Sequence, residues 1–178
     1  KIIAREDFPN KMEPYWGTTN PSDYKYNKDV FTLAVKCASD FITKHENENT
    51  DERRAQVAFL QYLLFQVKNV SPTHYISSNQ LVAVIREYLN HRITKNFLFR
   101  RVIAPLRDDG IIIASCSHGY KIPVSVEDIT TYLNQTHTIV SPMFHRVEVC
   151  RKLVLENTHG KFDILDDPAF IRYKKYFD

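Results

Sequence analysis

Apolar residues recur at every third or fourth position through most of the chain, a spacing that is typical of amphipathic α-helices. Residues 1–27 lack this spacing and contain three prolines and Gly17, so we expect an irregular arm there. Four helices are then predicted, over residues 28–43, 52–68, 79–90 and 95–108.

The ends of these predicted helices carry good capping residues. Ser77 or Ser78 can begin the third helix and Thr94 the fourth, because a hydroxyl accepts a hydrogen bond from a free N–H group of the first turn. Gly110 is expected to end the fourth helix in the left-handed conformation. Pro105 lacks an N–H group, so it should bend this helix or leave one carbonyl without its partner. The inward face is expected to comprise Leu98, Phe99, Val102, Ile103 and Leu106.

A β-hairpin is predicted directly after the fourth helix. Residues 111–115 are small or β-branched, and residues 116–119 have the composition of a turn. Residues 120–122 supply the returning strand before Pro123. The chain is therefore expected to contain one short two-stranded sheet among its helices.

Three further helices are predicted in the C-terminal third, the last of them a short aromatic helix that begins at Asp166 or Asp167 with Pro168. Ser125 and Asp128 have the spacing of a capping box, which predicts a helix over residues 127–134. Ser141-Pro142 fits the N-cap and first position of a separate helix over residues 142–157. That helix either packs within the chain or forms a homodimer with a second copy, since its apolar residues have heptad-like spacing. These residues are Met143, Val147, Cys150 and Val154.

The predicted order of helix, helix, turn, helix and hairpin across residues 52–122 is that of a winged helix-turn-helix. Leu-Arg-Asp-Asp-Gly at 106–110 and Gly-Tyr-Lys-Ile-Pro at 119–123 resemble the end of the recognition helix and the exit from the wing in bacterial and phage winged-helix modules. The predicted fold class is mainly α with a small β-hairpin. The expected domains are an N-terminal arm and helix (1–50), a winged helix-turn-helix domain (51–124) and a C-terminal helical extension (125–178).

Basic residues concentrate in the middle of the chain. The net charge is +3 overall, whereas residues 53–122 contain 10 Lys and Arg against 3 Asp and Glu and carry +7. A basic segment between mildly acidic flanks is typical of a nucleic-acid-binding module, because it attracts phosphates. Such a cluster also occurs on solvated surfaces without a ligand, so the charge alone leaves both interpretations open.

The resemblance implies that the helix at 95–108 enters the major groove of duplex DNA and that the hairpin contacts the DNA backbone. Asparagine can pair with adenine there and arginine with guanine, while residues at helix starts can reach phosphates. The predicted DNA contacts are Ser78, Arg92, Thr94, Lys95, Asn96, Arg100, Arg101, Arg107, Ser117, His118 and Lys121.

The expected function is DNA binding, as a regulator or as the nucleic-acid-targeting part of a larger bacterial or phage protein. The alternative is a protein–protein docking module, because many winged helices bind no nucleic acid. A second alternative is a nuclease fragment, since residues 119–168 resemble the C-terminal region of uncharacterised bacterial proteins with an RNase H-like nuclease domain. On that alternative, Asp7, Asp29 and Asp40 are candidate carboxylates.

Signals for catalysis, cofactors, metals and membranes are weak. The chain has no P-loop, GxGxxG or HExxH motif, and Cys116-x-His118 supplies only two potential zinc ligands. No apolar run approaches the roughly 20 residues of a membrane span. Three widely spaced cysteines favour the cytoplasm over a disulfide framework. We therefore expect no cofactor, no metal, no membrane partner and no catalysis by this chain alone.

Overall fold

The computed structural model describes residues 25–177, which are mainly helical with one two-stranded antiparallel sheet. The first 24 residues of the expected irregular arm lie outside the described residues. In chain order the elements are α1 (Lys28–His45), α2 (Asp51–Asn69), α3 (Ser78–Leu89), α4 (Lys95–Phe97), a π-helical turn (Leu98–Ile103), α5 (Ala104–Asp108), β1 (Ala114–Cys116), β2 (Gly119–Lys121), α6 (Val126–Asn157) and two 3₁₀ turns (Ile164–Asp166 and Ile171–Tyr176). A mainly α fold with a small β-hairpin is confirmed.

The first three helices begin at residues whose side chains cap them. Asn27 accepts a hydrogen bond from the Val30 N–H at 3.0 Å, and the Thr50 hydroxyl caps α2. The Ser77 hydroxyl accepts from the Gln80 N–H at 3.2 Å, so Ser77 is the N-cap of α3 and Ser78 its first residue. These local bonds satisfy donors that a helix leaves free, which explains why the predicted helices are confirmed so closely.

The chain divides into two compact units, and the division falls inside α6 between Tyr132 and Leu133. The predicted boundaries at 50/51 and 124/125 do not coincide with it. In the first unit, α1 shares one apolar core with α2, α3, the helix at 95–108 and the hairpin. Its largest fully buried side chains are Phe31, Phe59, Leu60, Leu63, Ile76, Leu81, Ile85, Leu98, Ile103, Leu106, Ile113 and Ile122.

The hairpin is anchored to the chain just before α3. Its strands pair with Ser115 opposite Tyr120, and Ile76 forms an isolated bridge to Tyr120 through two backbone hydrogen bonds of 2.9 and 3.0 Å. The predicted first strand at 111–115 begins only at Ala114. The Ile111 N–H instead bonds the Leu106 carbonyl at the end of the preceding helix, so this part of the chain serves as a helix cap.

α6 is one continuous helix of 32 residues with Pro142 inside it, so the predicted break at Ser141-Pro142 is wrong. Pro142 removes one N–H donor and crowds the carbonyl four residues earlier, but it does not end the helix. The predicted capping box at its start is present in modified form. Asp128 accepts from the Val124 N–H at 2.9 Å, and the Ser125 hydroxyl accepts from the Asp128 N–H at 3.1 Å.

The second unit joins the C-terminal part of α6 to the two 3₁₀ turns. Arg151 forms an ion pair with Asp163 at 2.8 Å and also donates to the Phe177 carbonyl. Phe144 stacks on Phe177 with 5.0 Å between ring centroids. The guanidinium of Arg151 holds the pKa of Asp163 well below its usual range.

Across residues 25–177, no helix combines the length and apolar character required to cross a bilayer.

Candidate nucleic-acid interface

The helix at 95–108 changes its hydrogen-bond register around Pro105. The Thr94 hydroxyl caps its first turn by accepting from the Phe97 N–H at 3.1 Å. Further along, the Ala104 N–H bonds the Phe99 carbonyl five residues earlier, as in a π-helical turn. Because Pro105 cannot donate, the Arg101 carbonyl accepts from the buried amide of Gln56 at 2.8 Å instead. This bond ties the helix to α2, and it is the freed carbonyl that Pro105 led us to expect.

The register change decides which side chains of this helix face solvent. Leu98 and Ile103, five residues apart, are both buried, as are Val102 and Leu106. Phe99 is 51% exposed, so its predicted place on the inward face is wrong. A π-helical turn has more residues per turn than an α-helix, which lets residues 98 and 103 share the core side and leaves residue 99 outside it.

The outer side of the helix carries four of the eleven predicted contacts. Lys95, Asn96, Arg100 and Arg101 are all exposed. Arg101 forms an ion pair with Glu52 at 3.1 Å between two well-exposed side chains, which partly offsets its charge. Within residues 25–177, no acidic side chain lies within ion-pairing distance of Lys95 or Arg100. Among the residues that the structure describes, these two cations are therefore uncompensated on the surface.

A pocket of about 220 Å³ joins the starts of two helices to the hairpin tip. It brings together four of the predicted contacts, Ser78, Lys95, Ser117 and His118. Sequence reasoning missed the other five lining residues, among them Asn79 and Cys116, although Asn79 follows directly on a recognisable helix cap. Arg92 lines a separate groove beside Arg86 and His91. The start of α3 and the hairpin tip, both predicted to reach DNA backbone, thus converge at one end of the helix at 95–108, whereas Arg92 does not line this pocket.

Arg107 does not lie on the outer face, so this predicted DNA contact is corrected. Its guanidinium donates to the Ile113 carbonyl at 2.9 Å and to the Ser115 hydroxyl at 3.0 Å. The same group lies over the Tyr132 ring, 4.0 Å from the centroid. Burial lowers the pKa of Arg107. Arg107 therefore holds the hairpin and the start of α6 to the helix instead of presenting a charge to solvent.

The predicted place of Lys121 at the hairpin tip is also wrong, because its side chain is buried. Its ammonium lies 2.8 Å from an Asp128 carboxylate oxygen and donates to the Pro72 carbonyl at 2.6 Å. The Tyr75 hydroxyl donates to the other oxygen of the same carboxylate at 3.1 Å. Burial raises the pKa of Tyr75 and lowers that of Lys121. Lys121 lies on the same side of β2 as Gly119, and the structure buries both residues.

The remaining candidates for metal or catalytic chemistry do not assemble in the described part of the chain. Cys116 Sγ lies 3.7 Å from His118 Nδ1, but no group of three or more His, Cys, Asp or Glu that could hold a metal occurs in residues 25–177. Asp29 and Asp40 lie eleven residues apart on α1, about 16 Å along the axis, so they cannot share one metal. Asp40 pairs with Lys36, and Asp7 lies outside the described residues.

Neither a protein-family model, nor a curated protein, nor a solved structure matches this chain.

Proposed function

We propose that this chain is a DNA-binding module whose helix at 95–108 enters the major groove while the hairpin at 114–121 contacts the backbone. The observation that carries the proposal is the pair Lys95 and Arg100 on the exposed side of that helix, next to Asn96, which have no acidic partner within residues 25–177. An α-helix is 10–12 Å wide and the major groove is roughly 12 Å wide, so the two match. The positive charge of Lys95 and Arg100 favours a phosphate-rich ligand, which supports duplex DNA over a protein partner.

The surrounding geometry supports backbone contacts at one end of the helix. Ser78 at the start of α3 and Lys95 at the start of α4 line one pocket with Ser117 and His118 of the hairpin tip. N–H groups at a helix start attract anions, and hydroxyl and ammonium groups are common phosphate donors. The same end can therefore fix the helix in the groove, where Asn96 and Arg100 reach base edges.

Replacing both uncompensated cations should weaken DNA binding and its dependence on salt. For Lys95→Ala/Arg100→Ala we expect roughly tenfold weaker binding to a mixed-sequence duplex at low salt. Each lost phosphate contact should also reduce the slope of log K against log salt by about 1. Fluorescence anisotropy of a labelled duplex between about 50 and 200 mM salt measures both effects.

Lys28→Ala/Lys44→Ala is the matched control, because it removes the same charge from α1, which packs against α2. Equal losses for the two double variants would reduce the effect to net charge and contradict a specific interface. Absence of salt-dependent duplex binding by the unaltered chain would favour the docking-module alternative.

We further propose that two copies pair through α6, because that helix is continuous. An unbroken helix extends the heptad-like seam from 142–157 back to Leu133, which gives more than three heptads. Several of the seam's side chains are exposed, including Leu133 and Met143, each more than half. The seam positions are Leu133, Thr136, Val140, Met143, Val147, Cys150 and Val154.

A charge placed in this seam should separate the two copies. Met143→Lys should shift the chain from dimer to monomer in sedimentation velocity at micromolar concentration. Burying an unpaired ammonium in a coiled-coil seam has a large free-energy cost. Thr138→Lys, on the same helix but off the seam, should leave the dimer intact. A monomeric unaltered chain at about 100 μM would contradict the pairing.

A further inference from the structure

Phe99 is an aromatic ring that the core does not use. Among the large hydrophobic side chains exposed in residues 25–132, it is the one aromatic, and half of its surface meets solvent. It lies one helical turn from both Lys95 and Asn96 and next to Arg100. The π-helical turn that starts at Leu98 keeps it outside the core. An apolar ring beside several hydrogen-bond donors suits a ligand with both polar and apolar features.

We propose that Phe99 contacts the 5-methyl group of thymine in the major groove and is a specificity-determining residue for sites that contain A·T pairs. This inference rests on the proposed DNA-binding function. A helix in the major groove meets the edges of stacked bases, and the thymine methyl is the apolar group on those edges. Phenylalanine is among the side chains that make this contact.

The spacing along the helix allows Asn96 and Phe99 to recognise bases together. Asn96 and Phe99 are three residues apart within a helical turn, so their Cβ atoms lie about 5–6 Å apart. Successive base pairs are separated by about 3.4 Å. The two side chains can therefore reach the same or neighbouring base pairs. Asn96 would bond the adenine edge, and Phe99 would contact a thymine methyl. Uracil lacks that methyl, so the contact also favours DNA over RNA.

The test compares duplexes that differ only in the methyl group. An alternating dA-dT duplex of about 20 base pairs, two helical turns, presents methyl groups in every register, and its dA-dU counterpart presents none. The unaltered chain should bind the dA-dT duplex about fourfold more tightly, the value of one buried methyl-sized group. Phe99→Ala should bind both duplexes equally. Alternating dG-dC with and without 5-methylcytosine should show the same preference, because that methyl occupies the same place in the groove.

Leu33→Ala is the matched control, since Leu33 is an equally exposed apolar residue on α1. It should retain the full methyl preference. Equal affinities of the unaltered chain for methylated and unmethylated duplexes would overturn the role of Phe99, as would a preference that survives Phe99→Ala. Either result can coexist with salt-dependent binding that Lys95→Ala/Arg100→Ala weakens, which would leave the proposed function standing. Failure to bind any of the four duplexes would instead remove both proposals.

Discussion

Gly119→Ala should lower the melting temperature of the first unit by more than about 10 °C. Gly119 has φ +142°, and a Cβ atom there would lie 2.0 Å from the Ile76 carbonyl oxygen and 2.5 Å from its carbon. Both obstacles are backbone atoms of the bridge that anchors the hairpin, so they cannot move aside without breaking its hydrogen bonds. Backbone strain and the clash together should cost about 3 kcal/mol or more.

Gly110→Ala is the control for this prediction. Gly110 also has a positive φ, +84°, but a Cβ atom there would meet nothing within 4 Å. Its substitution should therefore cost only the backbone term, about 1 kcal/mol. Thermal unfolding followed by circular dichroism compares the two variants. Equal melting temperatures would contradict the close approach of the hairpin to Ile76.

The hairpin anchor also bears on DNA binding. The tip residues Ser117 and His118 lie directly before Gly119, so a displaced hairpin removes them from the pocket that they share with Ser78 and Lys95. At temperatures where both glycine variants remain folded, Gly119→Ala should bind the duplex more weakly than Gly110→Ala. The fold and the proposed interface thus depend on the same short contact.

Local chemistry explains which parts of this fold were predictable from sequence. Ser77, Thr94 and Gly110 each cap a helix through bonds to residues a few positions away, so their roles follow from neighbours in sequence. The exposure of Phe99 depends on a π-helical turn whose freed carbonyl is satisfied by Gln56, 45 residues away. No local pattern encodes that partner, and an ideal helical period therefore places Phe99 in the core.

In the candidate site, too, local sequence predicts some features, whereas others depend on contacts distant in sequence. Exposure of Lys95, Asn96, Arg100 and Arg101 follows from helical periodicity, and the structure has all four on the surface. The two corrected residues carry charge but have partners distant in sequence. Lys121 bonds the Pro72 carbonyl, which is 49 residues away, and Arg107 stacks on Tyr132 of α6. A basic residue is assigned to solvent by default, and only the tertiary contacts reverse that assignment.

Asp128→Ala should destabilise the first unit by about 3–5 kcal/mol, because it leaves the Lys121 ammonium buried without its counter-charge. Asp128 also accepts from the Tyr75 hydroxyl and the Val124 N–H, so three donors lose one acceptor. Lys121→Met/Asp128→Ala should recover part of the loss, since it removes the buried charge itself. Denaturant unfolding of both variants at neutral pH measures the difference. A double variant no more stable than Asp128→Ala would contradict the buried pair.

The loss in Asp128→Ala should shrink as the pH rises. Burial already lowers the pKa of Lys121, and the Asp128 carboxylate opposes that shift. Without the carboxylate, the folded-state pKa falls further below the unfolded value near 10.4. Between these two values the unfolded chain binds more protons than the folded one, so the free energy of unfolding increases with pH. The Asp128→Ala variant should therefore gain stability relative to the unaltered chain toward pH 10, whereas the double variant, which lacks the lysine, should show no such gain.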